Sequence, residues 1–197
     1  PIFGSRVASR EHADLSSTRR ADCAMFGTME SATPAVPSMP RAALRWQWSQ
    51  LPGLAAAELY AVLAARQQVF AVEQQCAFQD ADGHDLHAWH LLAWTEAGTT
   101  SALAGYLRVL DPGRKYSEPS IGRVLTVAPH RGIGLGRTLM CEGIMRTRAI
   151  WPGRPIRVAA QQRLEAFYAS LGFRTASAPY AEDGILHVDM LIDAAAR

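Results

Sequence analysis

The chain has 197 residues, 49% of them hydrophobic and 19% charged, with a net charge of +2. That balance suits a soluble globular protein with a real core and argues against strong nucleic-acid binding, which needs a concentrated basic surface. Cys23, Cys76 and Cys141 show neither CxxC nor metal-ligand spacing, so reduced thiols in a cytosol are expected, with no disulfide framework and no metal site.

Residues 1–43 carry scattered Arg, Ser, Thr and Ala and then Pro34, Pro37 and Pro40, with no helical or strand period, and are expected to be a disordered N-terminal extension. Arg6, Arg10, Arg19 and Arg20 suggest a transit peptide, but Glu11, Asp14, Asp22 and Glu30 speak against one; Met25, Met29 and Met39 leave a later native start open. No run of ~18 apolar residues marks a membrane span. Residues 44–197 then form one domain of ordinary size. Within it, Leu44 to Ser49 alternates as a first strand, closed by Leu51-Pro52-Gly53. A long helix is expected from Leu54 to about Val72, because Leu59, Val62, Leu63, Val69 and Phe70 recur at spacings of three and four. Arg66 and Glu73 fall seven residues apart on the edge of that stripe, where an ion pair or snorkelling side chains is the plain expectation. The loop Gln74 to Asp85 holds Asp80, Asp82 and Asp85 around Gly83 but lacks the far acidic residue of a calcium loop, so its carboxylates are expected to be solvated at the surface.

Three strand-like runs follow without an intervening helix, Ala88 to Thr95, Leu103 to Leu110 and Ser120 to Val127, which suggests an antiparallel meander joined by Gly- and Pro-bearing turns. Leu135, Leu139, Met140, Ile144 and Met145 give a helical stripe ended by Trp151-Pro152-Gly153, and Ile156 to Ala159 is the next strand. Leu164, Phe167, Tyr168 and Leu171 mark a short helix stopped by Gly172; Phe173 onward and Ile185 to Ile192 supply two final strands. The order is α+β, a mixed and mostly antiparallel sheet of about six to seven strands flanked by helices.

The stretch Val124 to Met140 carries the chemistry: a buried strand, a turn with Gly132, Gly134 and Gly136, and the opening of a helix. Glycines let successive backbone N–H groups point at one anion, and the first turn of a helix adds unpaired donors at its positive end. Arg131 and Arg137 are expected to add charge beside that cradle. A Walker loop is excluded because no Gly-Lys precedes a Ser or Thr, and a dinucleotide fingerprint because the glycines are in the wrong register.

The spelling Arg-x-x-Gly-x-Gly from Arg131 to Gly136, after an apolar strand and Pro129, resembles the acetyl-CoA loop of the GNAT N-acetyltransferases. Leu164 to Phe173 is similar to that superfamily's Phe-Tyr-x-x-x-Gly-Phe segment, and the element order agrees. Arg66 to Gln74, Asp80-Ala81-Asp82 and Glu182 to Met190 resemble the ElaA-like branch, in which Gln161 is also familiar where the wider superfamily more often has Asn. The resemblance implies that the backbone of Leu125, Thr126 and Val127 pairs with the pantetheine arm, while Arg131, Gly132, Ile133, Gly134, Leu135, Gly136 and Arg137 hold the pyrophosphate of acetyl-CoA as co-substrate, with Gln161 nearby.

It further implies that Tyr168 is the general acid for the departing thiolate; by its helical spacing alone Tyr168 reads as a core aromatic. Glu73, acting directly or through water, is favoured as the base, with His187 the rival. The expected function is acetyl transfer to a primary amine, small molecule or peptide, in a ternary complex; a homodimer is left open, and neither nucleic acid nor membrane is an expected partner. The alternative is a non-catalytic acetyl-CoA-binding module. An NAD-dependent oxidoreductase is disfavoured by the glycine register and the lack of repeated βαβ units.

Overall fold

A computed structural model describes residues 44–97 and 100–194, so the extension expected over 1–43 lies outside the described residues. The elements are β1 (Leu44–Gln50), α1 (Ala56–Arg66) prolonged by a wider-wound segment Gln67–Glu73, β2 (Ala88–Ala97), β3 (Thr100–Leu110) and β4 (Ser120–Thr126), then α2 (Leu135–Ile150), β5 (Ile156–Gln161), α3 (Glu165–Ala169), β6 (Arg174–Thr175), β7 (Tyr180–Glu182) and β8 (Ile185–Ile192). They build one sheet in the order β1-β2-β3-β4-β5-β8-β6, with β7 also paired to β8. β1 to β4 are antiparallel neighbours, β2 to β4 through direct connections and β1 to β2 by way of α1 and the loop after it, whereas α2 crosses over between β4 and β5 and makes that pair parallel. β7 was not expected from the sequence, although Asp183-Gly184 between two extended runs is a hairpin signal.

The core lies on both faces. Leu107, Val109, Leu135, Leu139, Met140, Val158 and Met190 belong to a cluster that includes α2, and Val62, Val69, Leu92, Trp94, Tyr106 and Leu125 to a second under α1. β3 is therefore buried without a break from Leu103 to Leu110, as a strand covered on both faces must be. α2 approaches it closely through Gly143, where an added Cβ would stand 2.7 Å from Leu107 Cδ2.

One irregularity sets the site. β3 and β4 pair at Tyr106↔Leu125 and at Arg108↔Gly122, so Arg123 and Val124 together face Leu107 alone. That bulge puts Arg123 in the left-handed region at φ 51°. A bulge bends its strand and raises its twist, and β4 pairs with β5 only at Ser120↔Arg157 and Ile121↔Val158 before the two part.

Candidate active site

The open edge of β4 leads into the glycine turn. The Val127 amide donates to the Ala104 carbonyl at 2.9 Å, so of the three residues expected to pair with a cofactor arm this one is already committed to β3. Strand alternation turns the Thr126 peptide groups the other way, where the Thr126 carbonyl accepts from Arg131 Nε at 2.9 Å. Leu125 packs its side chain into the core. Beyond a single turn at Ala128–His130, Gly132 and Gly134 adopt φ 76° and 80°, conformations that cost glycine little. Gly134 caps α2, its carbonyl accepting from the amides of Arg137 and Thr138 at 3.1 and 3.2 Å. The amides of Gly132, Ile133, Gly134, Leu135 and Gly136 find no acceptor among the described residues. Leu135 anchors the turn by burying its side chain. Five successive free donors at the positive end of a sixteen-residue helix suit the pyrophosphate of a coenzyme A thioester.

The two arginines of the turn are already occupied. Arg131 donates to Glu73 at 2.7 Å, and Arg137 donates to the Ser170 hydroxyl at 2.5 Å and its carbonyl at 3.3 Å. The second tie links the first turn of α2 to the end of α3, two residues past Tyr168. Glu73 is thus placed on Arg131 and not on Arg66, a correction to the ion pair or snorkelling side chains expected of Arg66 and Glu73.

A cavity of about 450 Å³ fills the split between β4 and β5. Tyr168, Gln161 and His187 line it; Glu73 does not. Tyr168 is 5% exposed and held edge-on between Phe167 and Phe173, with no hydrogen bond to its hydroxyl among the described residues. Burial pushes its phenol up to about 12, so it is a neutral donor at pH 7. Gln161 donates to the Gln74 side chain at 3.0 Å and accepts from Arg163. His187 stands opposite Gln161 on β8, stacks on Tyr180, and has Nδ1 2.9 Å from the Ile185 carbonyl.

The carboxylates of the acidic loop are paired and not left to solvent, which corrects a second expectation. Asp80 accepts from Arg66 and Arg123 at 2.6 Å each, Asp82 from Arg108 at 2.7 Å and Arg123 at 3.1 Å, and Asp85 from Arg66 at 2.7 Å and Arg108 at 2.9 Å. Three aspartates and three arginines therefore alternate around a closed ring. Arg66, expected on the margin of the α1 stripe, is wholly buried within it. Burial opposes its charge, but the carboxylates outweigh burial and hold the guanidinium firmly protonated. Likewise burial works against Asp82 and Asp85, yet Arg108 with Arg123, and Arg66 with Arg108, hold them below the usual carboxylate range. Against the ring lie Tyr106, its phenol pushed up by burial, and His90, its imidazole pushed down by burial and bridging the Tyr106 hydroxyl and the Asp85 carbonyl. Arg108 and Arg123 were not picked out from the sequence. The available signal was a lone arginine inside each of two strands otherwise rich in apolar residues, facing a loop with three aspartates.

Residues 65–194 match the family described as an acetyltransferase (GNAT) domain. The chain belongs to the GNAT acetyltransferase family. The matched span takes in the charge ring, the glycine turn, Tyr168 and His187. Among relatives of this GNAT chain, protein ElaA of Escherichia coli is 36% identical over 149 residues, covering 75% of this chain and 95% of that one. A UPF0039 protein of Synechocystis is 37% identical over 148 residues, covering 75% and 94%. The crystal structure of E. coli ElaA superposes with a TM-score of 0.70 at 35% identity, over 76% of this chain and 99% of the other. An acyl-CoA N-acyltransferase from Pseudomonas aeruginosa does so with a TM-score of 0.70 at 38% identity and the same coverage. The GNAT chain is ElaA-like, and its mixed sheet with flanking helices is the fold of that family.

Proposed function

We propose that this GNAT protein moves an acetyl group from acetyl-CoA to a primary amine by direct attack within a ternary complex. The observation that carries this reading is the run of five acceptor-free amides from Gly132 to Gly136, tied through Arg137 and Ser170 to the helix that bears Tyr168. Bound there, acetyl-CoA supplies an activated thioester. The amides hold its two phosphates, and the Thr126 edge of β4 takes its arm as an added strand. The split between β4 and β5 lets an amine enter the cavity and meet the carbonyl carbon, converting a bimolecular encounter into a positioned one.

Tyr168 donates its proton to the departing sulfur; its burial keeps the phenol protonated until that moment. His187 is assigned as the base. With Nδ1–H donated to the Ile185 carbonyl, Nε2 keeps its lone pair for the proton that the incoming ammonium must lose. Glu73, favoured from the sequence, is instead assigned to holding Arg131 against β4.

The test is a thiol-release screen with acetyl-CoA against polyamines, amino acids, aminoglycosides and peptides. Release with one amine class supports transfer; calorimetric binding of acetyl-CoA with no release from any amine would replace it with the non-catalytic module. For the base, His187→Ala should remove the ascending limb of the pH–rate profile and Glu73→Gln should keep it. The opposite pattern returns the role to Glu73.

A further inference from the structure

We propose that the charge ring Arg66–Asp80–Arg123–Asp82–Arg108–Asp85 is what holds the split in the sheet open, with Arg123 as a positioning residue for acetyl-CoA binding. The inference rests on the acetyltransferase reading for its ligand and on the geometry of β4 for its cause. Arg123 sits at φ 51° in a strand, a conformation that a long side chain holds only when its surroundings over-determine it. Its surroundings do so. Nε reaches Asp80 Oδ1 at 2.6 Å, one terminal nitrogen reaches Asp82 Oδ2 at 3.1 Å and the Asp80 carbonyl at 3.4 Å, and the guanidinium lies over the Phe78 ring at 5.2 Å.

Those acceptors belong to one loop, and the loop is itself moored to the core. Arg66 on α1 is fully buried and Arg108 on β3 is 4% exposed, so the two arginines that fix Asp80, Asp82 and Asp85 cannot follow Arg123 if it moves. Isolated surface pairs would not impose a backbone conformation. Here each carboxylate accepts from two arginines and each arginine donates to two carboxylates, so the geometry is shared around the ring. The bulge that Arg123 occupies is also where β4 leaves β5, since pairing ends at Ile121↔Val158 two residues earlier. A strand without that bulge would carry Val124 to Thr126 on alongside β5 and close the space the thioester arm needs. The same ring sets Phe78, Asp82 and His84 in the wall of the cavity.

Arg123→Ala and Arg123→Gly separate the ring from the backbone, because both remove the guanidinium but only glycine keeps free access to positive φ. Two readouts are needed in each: acetyl-CoA affinity by calorimetry with KM and kcat, and hydrogen exchange at the Val124, Leu125 and Thr126 amides without ligand. A fall of the open form to about a tenth of the population weakens affinity about tenfold. That loss is expected for Arg123→Ala, with a smaller one for Arg123→Gly and with kcat at saturation less affected than KM. Exchange over Val124 to Thr126 should change in both, most in Arg123→Ala, and Asp80→Asn should follow the same direction. If the wild type binds no acetyl-CoA, the acetyltransferase reading fails, and the exchange measurement still decides the ring. Unchanged exchange, or an affinity loss equal in the two variants and tracking only their melting temperatures, overturns the positioning role.

Discussion

Arg66 offers the sharpest test of the energetics, because it is a fully buried cation whose carboxylate partners are all on one loop. Arg66→Met keeps an unbranched chain of similar reach while deleting the bonds to Asp80 Oδ2 and Asp85 Oδ1 and to the Asp80 carbonyl, at 2.6, 2.7 and 2.7 Å. Asp80 would retain Arg123 and Asp85 would retain Arg108, but three carboxylates would face two guanidiniums. Breaking a buried pair by removing one partner costs about 3–5 kcal/mol, since the remaining charge has already lost its water. For a domain of roughly 150 residues, each kcal/mol lowers the melting temperature by about 2–4 °C, so a fall on the order of 10 °C is expected. Urea unfolding at pH 7 is the suitable assay: the midpoint should drop with the slope unchanged, and urea leaves the charges unscreened. A cycle with Asp85→Asn should show a coupling of about 0.5–3 kcal/mol. A loss under about 1 kcal/mol, the range of exposed pairs, would refute the claim that the ring behaves as buried charge.

Tyr168→Phe should lower kcat by about 10²-fold or more and leave acetyl-CoA affinity nearly unchanged, as calorimetry and steady-state kinetics together would show; an unaltered kcat removes it from the mechanism. Stability should fall with acid in two stages. His90 has its folded pKa depressed by burial, so its contribution is lost as pH drops through the unfolded value near ~6.5 and below. Asp82 and Asp85 are depressed by their arginines, burial notwithstanding, so their contribution is present above about pH 5 and is lost progressively below the unfolded value near ~3.9. Denaturant midpoints between pH 8 and pH 3 would trace both stages on a scale of ~1 pH unit each, and Asp82→Asn should flatten the lower one. Gly132→Ala places a methyl where no atom lies within 4 Å but at φ 76°, so it should cost about 1–2 kcal/mol of backbone strain and weaken acetyl-CoA binding without a clash. Equal calorimetric affinity in that variant would show that the turn does not grip the phosphates.

Most of the elements and the glycine turn were legible in the sequence because the signals that make them are local. The strand Ile185–Ile192 alternates residue by residue, the α2 stripe recurs every three or four, and the glycines at 132, 134 and 136 announce a turn whose amides have nowhere else to go. The two-residue pairing of β4 with β5, the bulge at Arg123 and the partner of Arg66 were not legible. Arg66 reaches residues fourteen and nineteen positions away, and Arg123 reaches back more than forty, so no spacing rule links them. Glu73 was legible as a carboxylate near the site, but its pairing with Arg131, fifty-eight residues on, was not. Local chemistry determined which segments extend, coil and turn, and where a glycine turn with unpaired amides would form. Only the packing of α1, β3, β4 and the acidic loop around one another decided which charges meet, because a desolvated charge takes whichever partner the fold brings to it.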